Sequence, residues 1–208
     1  MADTIQGAIR KGAIVSQGSI ALNELAETIV ASGLPPYTEM TRRGGGFATM
    51  STSAVAGLVV RPSVTAAFEI FNAYASGSKS LIIDRLFWFN LVSTAVVEGF
   101  SGWAQVTAAK AAPTSGSFAV NGNSGKQSGS PVIAAASTTV IASGWFPWGN
   151  AYNKAAGGVV PFGAISVAVE GRLIVPPQCS LCLHVVSSLT GQTFTQGASW
   201  YEELITVE

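Results

Sequence analysis

Charged side chains are scarce in this chain. They make up 11% of its 208 residues, and eleven Lys and Arg balance eleven Asp and Glu, whereas a typical soluble domain has about 25% charged residues. Without a basic excess the chain has no face suited to replacing the counterions around phosphates, so a nucleic-acid partner is not expected. A sparsely charged exterior with zero net charge favours association instead. We therefore expect other protein to cover part of this surface.

Long apolar runs are also missing. No stretch of about eighteen apolar residues is free of charge or proline, which excludes a predicted membrane-spanning helix, and the start MADTIQGAIRKGAIVSQ lacks the apolar core of a signal peptide. The sequence therefore predicts no membrane partner and a product that stays in the cytosol unless an assembly carries it out.

Cysteine and histidine, the usual carriers of redox, metal and nucleophilic chemistry, number two and one. Cys179 and Cys182 have C-x-x-C spacing, but they fall in an alternating strand pattern, where the two thiols point to opposite faces, and no second pair completes a zinc site. His184 has no oriented third group in the pattern around it. We predict structural cysteines, a partly buried or interface histidine, and no catalytic residue, metal or cofactor.

What the chain does have is strand alternation, strongest from Val64 to Val92. Residues Val64–Phe71 alternate, YASGSK supplies a turn, and Leu81–Val92 alternates again. The second run predicts a central strand that is covered on both faces, because apolar side chains fall on both. One predicted face carries a single charge, Arg85, among Leu81, Ile83, Phe87, Phe89 and Leu91. Glu69, Asp84 and Arg85 are expected to pair across the two strands.

Further strands follow at intervals of about ten residues. They are predicted at 100–108, 132–146, 163–169, 171–175, 181–186 and 199–207, with loops at 110–130 and 147–158 and a turn at Pro176–Gln178. The sequence therefore predicts an all-β fold for residues 57–208, a jelly-roll sandwich of about eight antiparallel strands.

Residues 1–56 differ from the rest and are predicted to form an N-terminal arm. Residues 1–18 have no sustained period, a short amphipathic helix is expected from Ser19 to Gly33, and Gly44–Gly46 is expected to act as a hinge. A helix this short needs a partner to stabilise it. The candidate partner-binding residues are its apolar stripe and two basic pairs: Leu22, Leu25, Ile29, Arg10, Lys11, Arg42 and Arg43.

Four aromatic residues, Trp145, Phe146, Trp148 and Tyr152, lie within eight positions around Pro147 and Gly149. Such a cluster suits stacking on sugar rings. It equally suits covering the end of a sandwich or burial in a neighbouring subunit, since interfaces favour Trp and Tyr. The second interpretation is favoured, and both stay open.

Together with Arg61-Pro62, the segment Val64–Val106 resembles small structural proteins of tailed bacteriophages. The segment LIVPPQCSLCLHVV at Leu173–Val186 looks like the late strand pair of trimeric jelly rolls of the tumour-necrosis-factor type. The resemblance implies a non-enzymatic virion protein, a homotrimer that sits on the capsid surface as a cement or decoration protein and binds the major capsid protein. The alternative is a carbohydrate- or receptor-binding module of a phage tail or spike, with a glycan as ligand.

Overall fold

The computed structural model describes residues 5–11, 14–20, 36–92, 97–107, 113, 121–125, 130–154 and 163–205. The chain forms two compact units, Met1–Pro36 and Tyr37–Glu208. In the first unit, β1 (Ile5–Lys11) pairs antiparallel with β2 (Ile14–Ile20). The predicted helix start at Ser19 is therefore wrong, because Ser19 belongs to β2. The rest of that predicted helix, including Leu22, Leu25 and Ile29, lies outside the described residues.

A short helix near the N-terminus is confirmed at a later position, α1 (Pro36–Arg42). Proline suits the first helical position because its fixed φ matches the helix and its missing N–H has no partner to lose there. The helix ends in a glycine cap: Gly44 has φ of 80°, and the amide of Gly45 donates to the carbonyl of Met40 at 2.9 Å. The Gly45 carbonyl accepts from the amide of Glu202 at 3.0 Å. The predicted hinge is wrong, because these glycines are held by backbone hydrogen bonds.

The second unit is a β-sandwich with twelve strands among its described residues. Their bounds are β3 Gly46–Met50, β4 Val55–Ala56, β5 Thr65–Phe71, β6 Ser80–Val92, β7 Val97–Thr107, β8 Asn121–Gly122, β9 Ile133–Thr139, β10 Phe146–Lys154, β11 Ala164–Ala168, β12 Ile174–Val175, β13 Ser180–Ser187 and β14 Thr193–Glu203. One sheet, here the β7 sheet, has the order β10-β7-β13-β5-β9. The other, the β6 sheet, has the order β11-β6-β14-β3-β8, and β12 and β4 add to β6 and β14.

This strand order is that of a jelly roll. Four long strands of each sheet make the sandwich, β10-β7-β13-β5 against β11-β6-β14-β3, and the first and last of them, β3 and β14, are neighbours. The pairings between named strands are antiparallel, and β8 and β9 extend the two edges. The predicted all-β jelly-roll sandwich is confirmed.

The sequence placed a domain boundary after residue 56, whereas the compact units divide between Pro36 and Tyr37. Strands β3 and β4 both pair with β14. Phe47 is buried and stacks on Trp200 with 6.2 Å between ring centroids. Packing of β3 therefore places this part of the predicted arm within the sandwich.

The core fills the space between the two sheets. Phe68, Ile70 and Leu181 from the β7 sheet face Leu86 and Trp88 from the β6 sheet, all fully buried. A Cβ atom at Gly102 would lie 2.4 Å from Cδ2 of Trp88, so only glycine at this position lets the indole reach the opposite strand. Burial of this apolar area is the main stabilising term of the fold.

Strands β5 and β6 do not pair, because they lie in opposite sheets. The predicted cross-strand pairing of Glu69 with Asp84 and Arg85 is therefore wrong. Asp84 accepts a hydrogen bond from the hydroxyl of Ser199 at 3.3 Å, and Arg85 donates to the hydroxyl of Ser166 at 3.2 Å.

A β-bulge at Asp84 corrects the predicted faces of β6. Ser199 lies opposite Arg85 and Trp200 opposite Ile83, so Asp84 has no partner on β14. The extra residue shifts the alternation by one position. Leu81 and Ile83 consequently face the core with Leu86 and Trp88, whereas Phe87 and Phe89 face outward, and Leu91, at a second register shift against β14, is also exposed.

Strand β10 lies where the sequence predicted a loop. The register of β10 against β7 shifts between Pro147 and Gly149, and an edge strand with a bulge accommodates proline and glycine. The predicted hairpin or corner at Pro176–Gln178 is a corner, since β12 pairs with β6 and β13 pairs with β5 and β7.

Candidate interaction surfaces

The four aromatic residues singled out in the sequence are separated by the structure. Trp145 is 2% exposed, and its indole N–H donates to the carbonyl of Ser63 at 2.7 Å. Trp148 is half-buried against the core, with the guanidinium carbon of Arg172 5.6 Å from its ring centroid. Phe146 and Tyr152 are 67% and 77% exposed. Only these last two offer ring surface to another molecule.

Residues 140–145, here called the cover, cross the outer face of the β7 sheet. Val140 and Trp145 form a second hydrophobic cluster with Ala66 and Cys182, and Trp103 packs against it. The cover is tied down by hydrogen bonds from the amide of Val140 to the carbonyl of Val64 at 2.7 Å and from Nε2 of Gln105 to the carbonyl of Ile141 at 3.1 Å. Arg61 Nη2 reaches the carbonyls of Ser143 and Trp145, both at 3.4 Å. The chain thus buries the apolar outer surface of its own sheet.

His184 lies beneath the cover and is 6% exposed. Its ring meets Trp145 edge-on, with 6.2 Å between centroids, and its Nδ1 accepts the amide proton of Val185 at 2.8 Å. Burial lowers the pKa of His184 below its ordinary value, an effect that is partly offset because the protonated Nδ1 can donate to the Val185 carbonyl, 3.1 Å away. The ring is therefore packed, and its burial favours the neutral form over the charged one. The sequence predicted a partly buried or interface histidine, and the structure buries the ring within the chain itself.

Neither cysteine takes part in a disulfide, and Cys182 is buried whereas Cys179 is half-buried. Among the residues that the structure describes, no group of three or more His, Cys, Asp or Glu side chains is arranged to hold a metal ion.

Buried carboxylates join loops at one end of the sandwich. Glu202 accepts hydrogen bonds from the hydroxyls of Tyr74 at 2.6 Å and Ser130 at 2.5 Å. The pKa of Tyr74 is raised above its ordinary value, mainly by burial and to a smaller extent by the hydrogen bond to Glu202. Glu69 accepts from the hydroxyl of Ser180. These contacts hold turns and strands together, which is a structural use of both carboxylates.

The outer face of the β6 sheet carries a different surface, here called the open face. Phe87 and Phe89 are partly exposed, Leu91 is 43% exposed, and the two phenyl rings stack on each other with centroids 6.4 Å apart. Their neighbours on β11 are small, since Ala164 lies opposite Phe89 and Ser166 opposite Phe87. Arg85 lies at one end of this face.

Sequence reasoning assigned these phenylalanines to a doubly covered strand and so missed the open face. The pair Asp84-Arg85 inside an otherwise apolar strand was the available signal, because two charges in succession mark a place where the alternation is interrupted.

A groove of about 580 Å³ lies on the outer side of the β7 sheet. Tyr152 and Val59 stand beside it, and Ser101, Asn150 and Ser188 supply its polar atoms. Of the predicted aromatics only Tyr152 lines it. The serines and the asparagine carried no recognisable motif in the sequence.

The predicted basic residues are placed only in part. Arg10 and Lys11 are the last two residues of β1, and the structure describes only their place in the strand. Arg42 closes α1, Arg43 follows it, and both are exposed. Their role in partner binding stays a prediction.

Within the described residues, no helix has the length and apolar character needed to cross a membrane. Comparisons of the chain with protein-family models, curated proteins and solved structures gave no match.

Proposed function

We propose that the chain is a non-enzymatic structural protein that assembles with copies of itself as a homotrimer and decorates a bacteriophage capsid as a cement protein. The observation that carries this proposal is the open face. Phe87, Phe89 and Leu91 present apolar surface to solvent on a chain with few charges. Partly exposed aromatic side chains in a contiguous group are typical of the centre of a protein interface.

The geometry of the open face favours a flat contact. Strand pairing fixes the backbone of β6 between β11 and β14, and the two phenyl rings stack on each other, which reduces the side-chain entropy that is lost on association. Ala164 and Ser166 leave room for a partner to approach the rings closely. A second copy of the chain offers the same neutral, apolar surface, which suits self-association.

The capsid part of the proposal is supported by the likeness of Val64–Val106 and Leu173–Val186 to phage structural proteins and trimeric jelly rolls. The major capsid protein is the proposed partner, and the virion surface is the proposed location. The alternative, a carbohydrate- or receptor-binding module of a tail or spike, is favoured by one observation, the groove beside Tyr152.

Sedimentation equilibrium at micromolar concentration tests the self-association. The wild-type chain should have the mass of three copies, and Phe89→Glu should reduce it to one copy because a buried, unpaired carboxylate is costly at an interface. Phe146→Glu is the matched control: it introduces the same charge at an exposed phenylalanine on the other sheet and should leave the trimer intact. A wild-type monomer, or a trimer that survives Phe89→Glu, contradicts the proposal.

Binding to purified phage heads that lack the protein tests the capsid role. Co-sedimentation should recover the wild-type chain with the heads, and heads with bound protein should withstand heating better than bare ones. A trimer that fails to bind heads but binds host cell-surface glycans supports the tail or spike module instead.

A further inference from the structure

The groove on the β7 sheet is built as a ligand site rather than as a packing defect. Its volume of about 580 Å³ lies in the range of about 300–1,000 Å³ that small-ligand sites occupy. Apolar side chains make most of its wall, among them Val59 and Val186, and a few polar groups converge on it. This combination is typical of sites that use apolar contact for affinity and a small number of hydrogen bonds for orientation.

Tyr152 is a supported and exposed aromatic platform. It lies directly opposite Gly99 on the neighbouring strand, where an added Cβ would come within 3.2 Å of Cε1 of the tyrosine ring. Glycine at this position therefore lets the ring lie against the strand. The ring nevertheless remains 77% exposed, so it offers surface to a ligand without having to reorganise.

The polar atoms of the groove are oriented by the protein. The hydroxyl of Ser101 accepts the indole N–H of Trp103 at 2.8 Å, and the hydroxyl of Ser188 accepts the amide of Gly99 at 3.1 Å. Each of these hydrogen bonds occupies an acceptor lone pair and leaves the hydroxyl proton for donation to a ligand. Asn150, opposite Ser101 and exposed, adds an amide that both donates and accepts.

Among the described residues that line the groove, none is charged. A phosphate or carboxylate ligand would lack a counter-charge there, and a cationic ligand would lack a carboxylate. A ligand with C–H surface for the tyrosine ring and hydroxyls for two serines and an amide fits these groups. We propose that this groove binds a neutral oligosaccharide, with Tyr152 as the stacking platform. This inference deepens the alternative function proposed above, a carbohydrate-binding module, by naming its ligand class; it does not depend on the trimer or the capsid role, because the groove and the open face lie on opposite sheets.

Titration calorimetry of the full-length chain with three neutral hexasaccharides, of β-1,4-glucose, α-1,4-glucose and β-1,4-N-acetylglucosamine, tests the proposal. At least one should bind with a Kd below about 5 mM. Tyr152→Ala should weaken that binding about tenfold, the equivalent of roughly 1.4 kcal/mol, and Tyr152→Phe should retain it, because the ring stays. An α-1,4-galacturonic acid hexasaccharide of the same length should bind more weakly than the best neutral one.

Phe146→Ala is the matched control, since it removes an equally exposed aromatic ring from the same strand at a position outside the groove. It should leave sugar affinity unchanged. Circular dichroism and thermal melting check that each variant is folded. The proposal is overturned if none of the neutral hexasaccharides binds, if Tyr152→Ala binds as well as wild type, or if Phe146→Ala loses the binding to the same extent.

Discussion

The two outer faces of the sandwich differ in whether the chain itself covers their apolar side chains. Each sheet carries apolar side chains on its outer side, Trp103 and Cys182 on the β7 sheet and Phe87, Phe89 and Leu91 on the β6 sheet. The first face is buried by the chain itself, through Val140 and Trp145 of the cover. The second keeps its phenyl rings partly exposed. A surface that the chain covers contributes to its own stability, and a surface left partly exposed is available to another molecule, which is where the proposed self-association would occur.

The largest expected effect comes from removing the centre of the cover. Trp145→Ala should lower the free energy of unfolding by about 3–5 kcal/mol, because a fully buried aromatic is lost and a cavity remains. The adjacent Phe146→Ala should change it by less than about 0.5 kcal/mol, because that ring is solvent-exposed. Urea unfolding of both variants measures the contrast. Similar losses of unfolding free energy in the two variants would mean that Trp145 stabilises the fold no more than an exposed side chain does.

The sequence predicted the positions of the strands better than it predicted which strands share a sheet and which side chains face the core. Alternation at Val64–Phe71 and Leu81–Val92 and the turn at Pro176–Gln178 gave the correct strands and corner, because side-chain period and proline chemistry are local properties. The pairing of β5 with β6 was wrong because the choice of sheet depends on long-range packing. The bulge at Asp84 divided one predicted face of β6, so that Leu81 and Ile83 face the core and Phe87 and Phe89 face outward.

The candidate sites were predictable to a smaller degree. An aromatic cluster in the sequence indicates a region, but it does not show which of its side chains are buried. Trp145 is buried and the adjacent Phe146 is exposed. The difference depends on contacts of the cover with Ser63, Gln105 and Cys182, which are far away in the sequence. The groove combines residues from β7, β10, β13 and the connections that precede β5 and follow β13, and only the folded chain brings these segments together. Single-sequence patterns carry no information on such combinations.

A smaller effect is expected from loosening the cover without removing its core. Gln105→Ala deletes the hydrogen bond to the Ile141 carbonyl and should cost about 1 kcal/mol. Because Cys182 lies beneath the cover, its reaction with a thiol reagent in a Cys179→Ser background should become about fivefold faster. Leu91→Ser, on the open face, should leave the labelling rate as it was. Unchanged labelling in Gln105→Ala would show that residues 140–145 do not control access to this thiol.

The cover should also respond to pH through His184. Burial holds the pKa of His184 in the folded chain below its ordinary value, so on acidification the unfolded chain takes up the proton first. Stability should therefore be highest above the ordinary histidine pKa of about 6.5 and fall as pH drops through that value. His184→Gln stays neutral, and its unfolding free energy should fall less between neutral pH and mild acid. The carboxylates are the same in both proteins, so the difference between their pH dependences reports on His184 alone. Equal pH dependence of the two unfolding free energies would mean that the folded chain tolerates the charged form of His184 as well as the unfolded chain does.

The smallest effect on the folded chain itself is expected on the open face. Leu91→Ser should change the free energy of unfolding of a dilute sample by less than about 0.5 kcal/mol, since the side chain is already exposed to solvent. At higher concentration the Tm values of wild type and Leu91→Ser should diverge. If the wild type assembles through the open face, its Tm should rise with concentration, because association stabilises only the folded state. Leu91→Ser, which takes apolar area from that contact, should show a shallower rise. Thermal melts over a hundredfold range of concentration make the comparison, with Ile141→Ser, at an equally exposed position on the cover, as the control that should retain the wild-type rise. A wild-type Tm that does not depend on concentration would remove the functional distinction between the two faces.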